Sequence, residues 1–105
     1  MENKKYQLCY LPLFEQDLMD ATGYISNVLK NPDAAMRLVD DVERAILERL
    51  ENPLSFESYR SSKKRPHPYY RIYVRNYVIY YVVIGDVMEV RRFMYGARDT
   101  DKYLS

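Results

Sequence analysis

The chain has 105 residues and a mass of 12.6 kDa, so we expect one domain over residues 1–105. Its composition, 48% hydrophobic and 30% charged, is usual for a soluble folded protein and excludes intrinsic disorder. No apolar run approaches the roughly 18 residues of a membrane-spanning helix, and we expect neither a membrane contact nor a signal segment. The single Cys9 excludes a disulfide framework and a cysteine-rich zinc site, and it suits a reducing cytoplasm. The single His67 excludes a histidine-rich metal centre.

The charges divide the chain in two. Residues 1–58 carry 6 Lys/Arg and 11 Asp/Glu, whereas residues 59–105 carry 10 Lys/Arg and 4 Asp/Glu. Of the 12 tyrosines, 9 lie in the basic second part. Because so small a domain cannot hold two separate bodies, we expect an acidic and a basic layer of one fold. A basic layer rich in aromatic residues indicates a nucleic-acid or acidic protein partner.

In the first half, the pattern predicts a strand and two helices. Residues 5–11 alternate weakly and end at Pro12, which predicts a strand. Spacings of three and four predict an amphipathic helix through Phe14, Leu18, Ala21, Ile25 and Val28. Asn31 and Pro32 are typical of an N-cap and a first helical residue. The second helix then has the apolar stripe Ala35, Val39, Val42, Ile46 and Leu50, and ends at Asn52-Pro53. Helices joined by about two residues form an antiparallel hairpin.

In the second half, the apolar pattern changes to a period of two. Residues 69–75 alternate, which places Tyr70, Ile72 and Val74 on one face and Arg71, Tyr73 and Arg75 on the other. A turn at Asn76 leads into residues 77–84, which are apolar on both faces and predict a central strand. Gly85-Asp86 predicts a hairpin turn into a last strand over residues 87–95. The basic loop between Pro53 and Pro68 is long enough to suggest a functional role.

The element order is strand, two helices and a three-strand meander. It predicts an α+β fold in which a two-helix hairpin packs on one face of a four-stranded, mainly antiparallel sheet. Arg71, Tyr73 and Arg75 would then lie on the sheet face opposite the helices.

These residues, in this order, resemble the RelE/ParE toxins of bacterial type II toxin–antitoxin systems. The motifs that carry the resemblance are Asp17-Leu18, Tyr24-Ile25, Asn31-Pro32, Ala34-Ala35, Leu50 with Pro53, Tyr70-Arg71-Ile72, residues 76–82 and residues 95–99. The resemblance implies a basic groove opposite the helices and a cognate antitoxin that wraps the toxin. RelE-like members cut messenger RNA, usually on the ribosome, without a metal or other cofactor. ParE-like members poison DNA gyrase instead.

The resemblance also implies catalytic residues. RNA cleavage by 2′-hydroxyl attack builds negative charge on the phosphate, which arginine is suited to stabilise. Arg71 occupies the place of a basic residue of the RelE-like nucleases, and Arg98 the place of the arginine two positions after the strand-ending Gly96. Tyr103 matches a tail tyrosine with a displacement of one position. The implied catalytic residues are therefore Arg71, Arg98 and Tyr103.

Two positions depart from the nuclease pattern. Tyr73 stands where the nucleases have a second basic residue, and Val78 stands where they have an arginine. Arg75 and Arg92 are the candidates to replace the charge missing at Val78. The expected RNA-binding residues are Lys63, Lys64, Arg65, Tyr73, Arg75, Tyr80 and Arg92.

Each residue also has a structural alternative. Arg71 and Arg75 could form a solvated strand face, Arg98 could pair with Asp99 or Asp101, and the tyrosines could be core residues. His67 could act as an acid or base, or lie in a surface loop. For function we expect a ribosome-dependent endoribonuclease acting in the cytoplasm. The alternatives are a gyrase inhibitor and a non-catalytic module that binds RNA or docks an antitoxin.

Overall fold

The computed structural model describes residues 5–59, 64–96 and 104. The elements are β1 (Gln7–Tyr10), α1 (Pro12–Gly23), a π-helical turn (Tyr24–Val28), α2 (Pro32–Leu50), β2 (Tyr70–Val74), β3 (Tyr77–Ile84) and β4 (Val87–Tyr95). The strands form one sheet in the order β1-β4-β3-β2, in which β1 is parallel to β4 and the other pairs are antiparallel. The predicted α+β fold is confirmed. Within the described ranges, no helix is long and apolar enough to span a membrane.

The helix layer follows the predicted signals with one difference, at a residue of the α2 stripe. The first helix begins at Pro12, because proline fits the first helical position, where an N–H would have no partner. In α2 the Asn31 side chain accepts a hydrogen bond from the Ala34 N–H at 3.1 Å, as expected of an N-cap. The buried stripe of α2 contains Leu38, and the prediction of Val39 at this place is wrong. Spacings of three and four continue through Leu38, and Val39 lies half-buried at its flank.

The sheet carries a core on each face. On the helix side, α1 and α2 pack over Ile72, Ile79 and Tyr81 and their neighbours. On the opposite face a second cluster contains Tyr69, Val78, Tyr80, Val82 and Leu104, with Tyr59 and Met94 packed against it. The chain before β2 folds back over this face, where the Tyr59 N–H donates to the Tyr69 carbonyl at 2.6 Å. The expected open groove is therefore covered at its centre.

Two local irregularities of the backbone determine the direction of basic side chains. Arg75, in the turn between β2 and β3, has a φ of 55°, a left-handed conformation that ends the alternation of the strand. In β4, Tyr80 pairs with Arg92 and Tyr81 pairs with Val90, so Arg91 is an extra residue opposite this part of β3. Such a bulge redirects side chains that a strict period of two would place differently.

Candidate interaction surface on the second sheet face

The side chain of Arg71 lies between two tyrosine rings on the sheet face opposite the helices. Its Cζ is 4.8 Å from the ring centroid of Tyr59 and 5.7 Å from that of Tyr73. Both distances are in the range of cation–π interactions. Such interactions hold the guanidinium in place without neutralising its charge. Among residues 5–59, 64–96 and 104, no carboxylate pairs with Arg71. We call Tyr59, Arg71 and Tyr73 the Arg71 surface; Tyr73 is 61% exposed at its outer side.

A buried hydrogen-bond cluster around Arg49 supports this surface from the helix side. Arg49 Nη1 donates to the Arg71 carbonyl at 3.0 Å and to the Tyr81 hydroxyl at 2.9 Å. The Tyr81 hydroxyl donates in turn to the Pro53 carbonyl at 2.7 Å. Burial raises the pKa of Tyr81, and the Arg49 contact only partly offsets that rise. The cluster thus joins the end of α2, the start of the long loop and β2.

The loop side of the cluster is fixed by an aromatic contact. The Arg49 Cζ lies 3.6 Å from the centroid of the Phe56 ring. A guanidinium that stacks on a ring and donates two hydrogen bonds is held in one orientation in the folded chain. Arg49 therefore positions residues that precede Tyr59, and with them one wall of the Arg71 surface.

Arg75 and Arg92 each pair with a carboxylate of the helix layer and do not lie on the Arg71 surface, so the prediction that places Arg75 on the sheet face opposite the helices is wrong. Arg75 Nη2 bonds Asp41 Oδ2 of α2 at 2.6 Å, because the left-handed turn directs its side chain toward the helices. Arg92 binds Asp17 of α1 through Nε at 2.8 Å and Nη2 at 3.1 Å. Strand β1 ends at Tyr10, so this part of β4 is next to α1. Both guanidinium groups bind carboxylates of the helices, and the role expected for them, to replace the charge missing at Val78, stays a prediction.

Tyr80 is also in a different environment from the one expected. It lies on the predicted face but is only 2% exposed. Its ring meets those of Tyr59 and Tyr69 edge-on, with centroids 5.8 Å and 6.3 Å apart. The loop and Leu104 that cover this face exclude a base from stacking on the Tyr80 ring. The expectation for Tyr80 is therefore corrected to a core role, while Tyr73 remains accessible.

The described residues of the basic loop differ in exposure and in their contacts. Lys64 is exposed, and His67 is half-buried. Arg65 Nη2 donates to the Leu104 carbonyl at 3.3 Å, and its Cζ lies 5.1 Å from the Tyr69 ring centroid. Arg65 thus holds Leu104 against the second cluster. Lys63, Arg98 and Tyr103 lie outside the described residues, and their roles stay predictions.

Arg91 is a further basic residue beside Tyr69 on the second sheet face, and the sequence pattern did not identify it. Its Nε donates to Glu89 Oε1 at 2.7 Å and its Nη1 to the Tyr69 hydroxyl at 3.2 Å. Burial lowers the pKa of Arg91, but the hydrogen bonds to Tyr69 and Glu89 outweigh it, and the pKa lies above its ordinary value. Because Arg91 is the extra residue of the β4 bulge, a period of two could not have identified its neighbours.

An aromatic pocket of about 640 Å³ lies between α1 and the ends of β3 and β4. It is lined by Asp17, Ala21, Tyr24, Leu29, Tyr77, Phe93 and Tyr95. Its wall includes the first residue of the π-helical turn, which no helical periodicity predicts. Within the ranges that the structure covers, no group of three or more His, Cys, Asp or Glu residues is placed to hold a metal ion.

Comparison with known proteins places the chain in a family. Residues 8–100 match the family model described as ParE toxin of the type II toxin–antitoxin system parDE. The structure is similar to that of a chromosomal ParDE TA system from P. aeruginosa, with a TM-score of 0.69, 16% identity, and coverage of 90% of this chain and 99% of that chain. A second similar structure is a RelB-RelE antitoxin-toxin complex from Methanococcus jannaschii, with a TM-score of 0.45, 25% identity, and coverage of 83% and 88%.

No curated protein matches the sequence. The family model nevertheless spans most of the chain, including both helices, β2 to β4 and all of β1 after Gln7. The chain therefore belongs to the ParE toxin family and is a toxin of the type II toxin–antitoxin class.

Proposed function

We propose that this toxin arrests growth in the cytoplasm by binding DNA gyrase, and that it does not cut RNA. The proposal selects the gyrase alternative over the ribonuclease expected from the sequence. One observation carries it: the basic residues expected to surround a phosphate are dispersed to separate protein partners.

The dispersal is clear for the described basic members of the expected site. Arg65 is bound to the Leu104 carbonyl, Arg75 to Asp41, and Arg92 to Asp17. Val78 is buried, so no side chain at that position reaches the surface. Arg71 and Lys64 are left without a carboxylate partner in the described ranges. Stabilising a pentavalent phosphate calls for several preorganised charges aimed at one point, and these two residues do not supply them.

The family match also supports a protein target. The matching model is that of the ParE toxin, and it extends from Leu8 of β1 beyond the end of β4. ParE-like members of the RelE/ParE family poison gyrase, whereas RelE-like members cut messenger RNA. The valine at position 78 and the tyrosine at position 73 are the two places where this sequence departs from the nuclease pattern.

The Arg71 surface suits a protein contact. Arginine and tyrosine are enriched among the residues that dominate protein–protein binding energy, particularly where their side chains are held rigid before binding. Arg71 is fixed between Tyr59 and Tyr73, so little side-chain entropy remains to be lost on binding. A carboxylate of the target, presented beside an apolar group, would match it.

Induced expression in cells tests the proposal with two parallel readouts. Mapping of messenger RNA 5′ ends should show no new cleavage sites during growth arrest, while a reporter plasmid should lose negative supercoiling. Arg71→Ala should reduce both growth arrest and loss of supercoiling, and Arg37→Ala, an exposed change on α2, should leave them unchanged. New codon-specific cleavage sites with unchanged supercoiling would favour the ribonuclease and overturn the proposal.

A further inference from the structure

Strand β1 is an edge strand, and half of its backbone groups point away from the sheet. The sheet order places β4 on one side of β1 and no strand on the other. The N–H groups of Gln7 and Leu11 donate to carbonyl groups in and next to β4, at 2.7 Å and 3.0 Å. Successive residues of a strand direct their backbone groups to opposite sides. The N–H and carbonyl groups of Leu8 and Tyr10 therefore point outward.

The outer side of β1 is open in the part of the chain that the structure describes. No described group bonds the outward N–H and carbonyl groups of Leu8 and Tyr10. Residues 6–11 contain neither a charged residue nor a proline, the residue types that usually protect a strand edge from pairing. At the opposite edge of the sheet, the carbonyl groups of Tyr69 and Arg71 already accept hydrogen bonds. The β1 edge is thus a template for a further strand.

The β1 edge is complementary to itself. Two antiparallel copies of β1, related by a twofold axis at Cys9, bring Leu8 of each copy opposite Tyr10 of the other. Each of these two pairs exchanges both of its backbone hydrogen bonds, so all the outward groups of Leu8 and Tyr10 become bonded. The Leu8 side chain then lies beside a Tyr10 ring that stacks on Phe14. Such apolar–aromatic pairs stabilise antiparallel strands.

The surroundings of the edge also suit a second copy. Tyr10 is 36% exposed, and Leu13, at the start of α1, is 51% exposed. Pairing through β1 covers apolar surface at this place, which stabilises the contact. The formal net charge of the chain is only +1, so two copies repel each other little.

We propose that two copies of this toxin pair through β1 and form one eight-stranded sheet with a twofold axis at Cys9. The strand has only four residues, so the dimer should be weak and should dissociate on dilution. Strand β2 is at the far edge of each copy, and both Arg71 surfaces stay accessible. A target with two sites would then bind the dimer more tightly than the monomer. The inference rests on the sheet and not on the proposed gyrase target.

The thiol of Cys9 reports the pairing directly. In the proposed dimer the two Cys9 Cα atoms are about 4.5 Å apart, within the roughly 4.4 to 6.8 Å that a disulfide spans. Diamide takes up the two hydrogen atoms of two thiols as a disulfide forms, and it should link unmodified toxin into dimers.

A second thiol position on the same face gives the matched control. In the double variant Cys9→Ser, Gln7→Cys, the thiol is at an exposed position of β1. Its Cα would lie about 13 Å from the equivalent Cα of the other copy, four residue steps along the strand. Linking should be slower by about tenfold or more, because a disulfide cannot span this distance. Equal rates for the two proteins would contradict the twofold axis at Cys9.

Sedimentation over a concentration series measures the assembly itself. The mass of the unmodified toxin should rise from 12.6 kDa toward twice that value. Tyr10→Ala keeps the outward N–H, whereas Tyr10→Pro removes it without removing a bond to β4. Because the symmetric dimer loses two hydrogen bonds, the proline variant should have a dissociation constant about tenfold or more above that of the alanine variant.

Two results of sedimentation would overturn the proposal. One is a monomer at every concentration of the series. The other is growth beyond a dimer, which indicates head-to-tail pairing of β1 with β2. Circular dichroism identifies any variant that fails to fold. Amide exchange of the unmodified toxin then decides, since the Leu8 and Tyr10 amides should slow with rising concentration and those of Cys9 and Leu11 should not.

Discussion

Asp17 holds both the guanidinium of Arg92 and the backbone N–H of Phe93. The two Arg92 contacts are 2.8 Å and 3.1 Å long, and the Phe93 N–H lies 3.0 Å from Asp17 Oδ2. The carboxylate therefore closes the part of the β4 edge that the short β1 leaves uncovered. Among the described residues, no side chain closes the edge of β2 in this way at Tyr73. Asp17 thus protects the β4 edge from pairing with a further strand, and no such contact protects the described part of the β2 edge.

Replacing Asp17 should destabilise the fold without any direct effect on the Arg71 surface. Asp17→Asn removes the charge that Arg92 needs in a largely buried position, and we expect a loss of about 2 to 3 kcal/mol in the free energy of unfolding. The matched control Asp20→Asn changes an exposed carboxylate of the same helix and should cost less than about 0.5 kcal/mol. Urea unfolding of both variants provides the measurement. Equal stabilities would contradict the edge-closing role of Asp17.

The Tyr81 hydroxyl should contribute to stability in a pH-dependent way. Burial raises the pKa of Tyr81 above its usual value of 10.0, so the folded state holds this proton more tightly than the unfolded state. The resulting stability is complete below about pH 10 and is lost as the pH rises through the folded-state pKa. Tyr81→Phe should therefore show a shallower loss of stability above pH 10.

The same variant has a neutral-pH consequence. At pH 7, Tyr81→Phe leaves Arg49 and the Pro53 carbonyl each without one hydrogen-bond partner. The expected cost is about 1 to 2 kcal/mol. Tyr95→Phe, at an exposed ring, serves as the control and should leave the denaturation midpoint nearly unchanged at both pH values. If the two variants behave alike, the Arg49 cluster does not stabilise the fold.

Lys30→Gly should stabilise the protein. Lys30 has a φ of 55°, between the π-helical turn and the Asn31 cap, and a side chain at this φ is strained. Glycine removes the strain and should add up to about 1 kcal/mol of stability. Arg37→Gly, in the middle of α2, should instead cost about 1 kcal/mol. Thermal unfolding that ranks the two glycine variants in the reverse order would refute the explanation.

The faces of the strands could be predicted from the sequence because the backbone dictates a period of two. Tyr77 and Tyr81 lie on the helix side as the alternation indicates, and Arg71 and Tyr73 lie on the other. The prediction is wrong where a local irregularity interrupts the period. Arg75 sits in a left-handed turn, and Arg92 follows the β4 bulge. The alternation of apolar residues does not reveal either irregularity.

Contacts between distant residues set the limit on predicting the site. The partner of Arg92 is 75 residues away in the sequence, and the loop that buries Tyr80 has no periodic pattern of its own. The sequence contains the residues of the aromatic pocket but not the π-helical turn that helps to form it. Burial of Tyr80 and pairing of Arg92 with Asp17 support the proposed protein target.

A supercoiling assay with purified components asks whether this toxin acts on gyrase. Increasing amounts of toxin are added to gyrase, ATP and relaxed plasmid, with Arg71→Ala as the weakened variant and Arg37→Ala as the matched control. We expect a dose-dependent loss of supercoiling with unmodified toxin and Arg37→Ala, and a markedly smaller loss with Arg71→Ala. Full supercoiling at toxin concentrations that cleave messenger RNA in a ribosome-containing extract would contradict it.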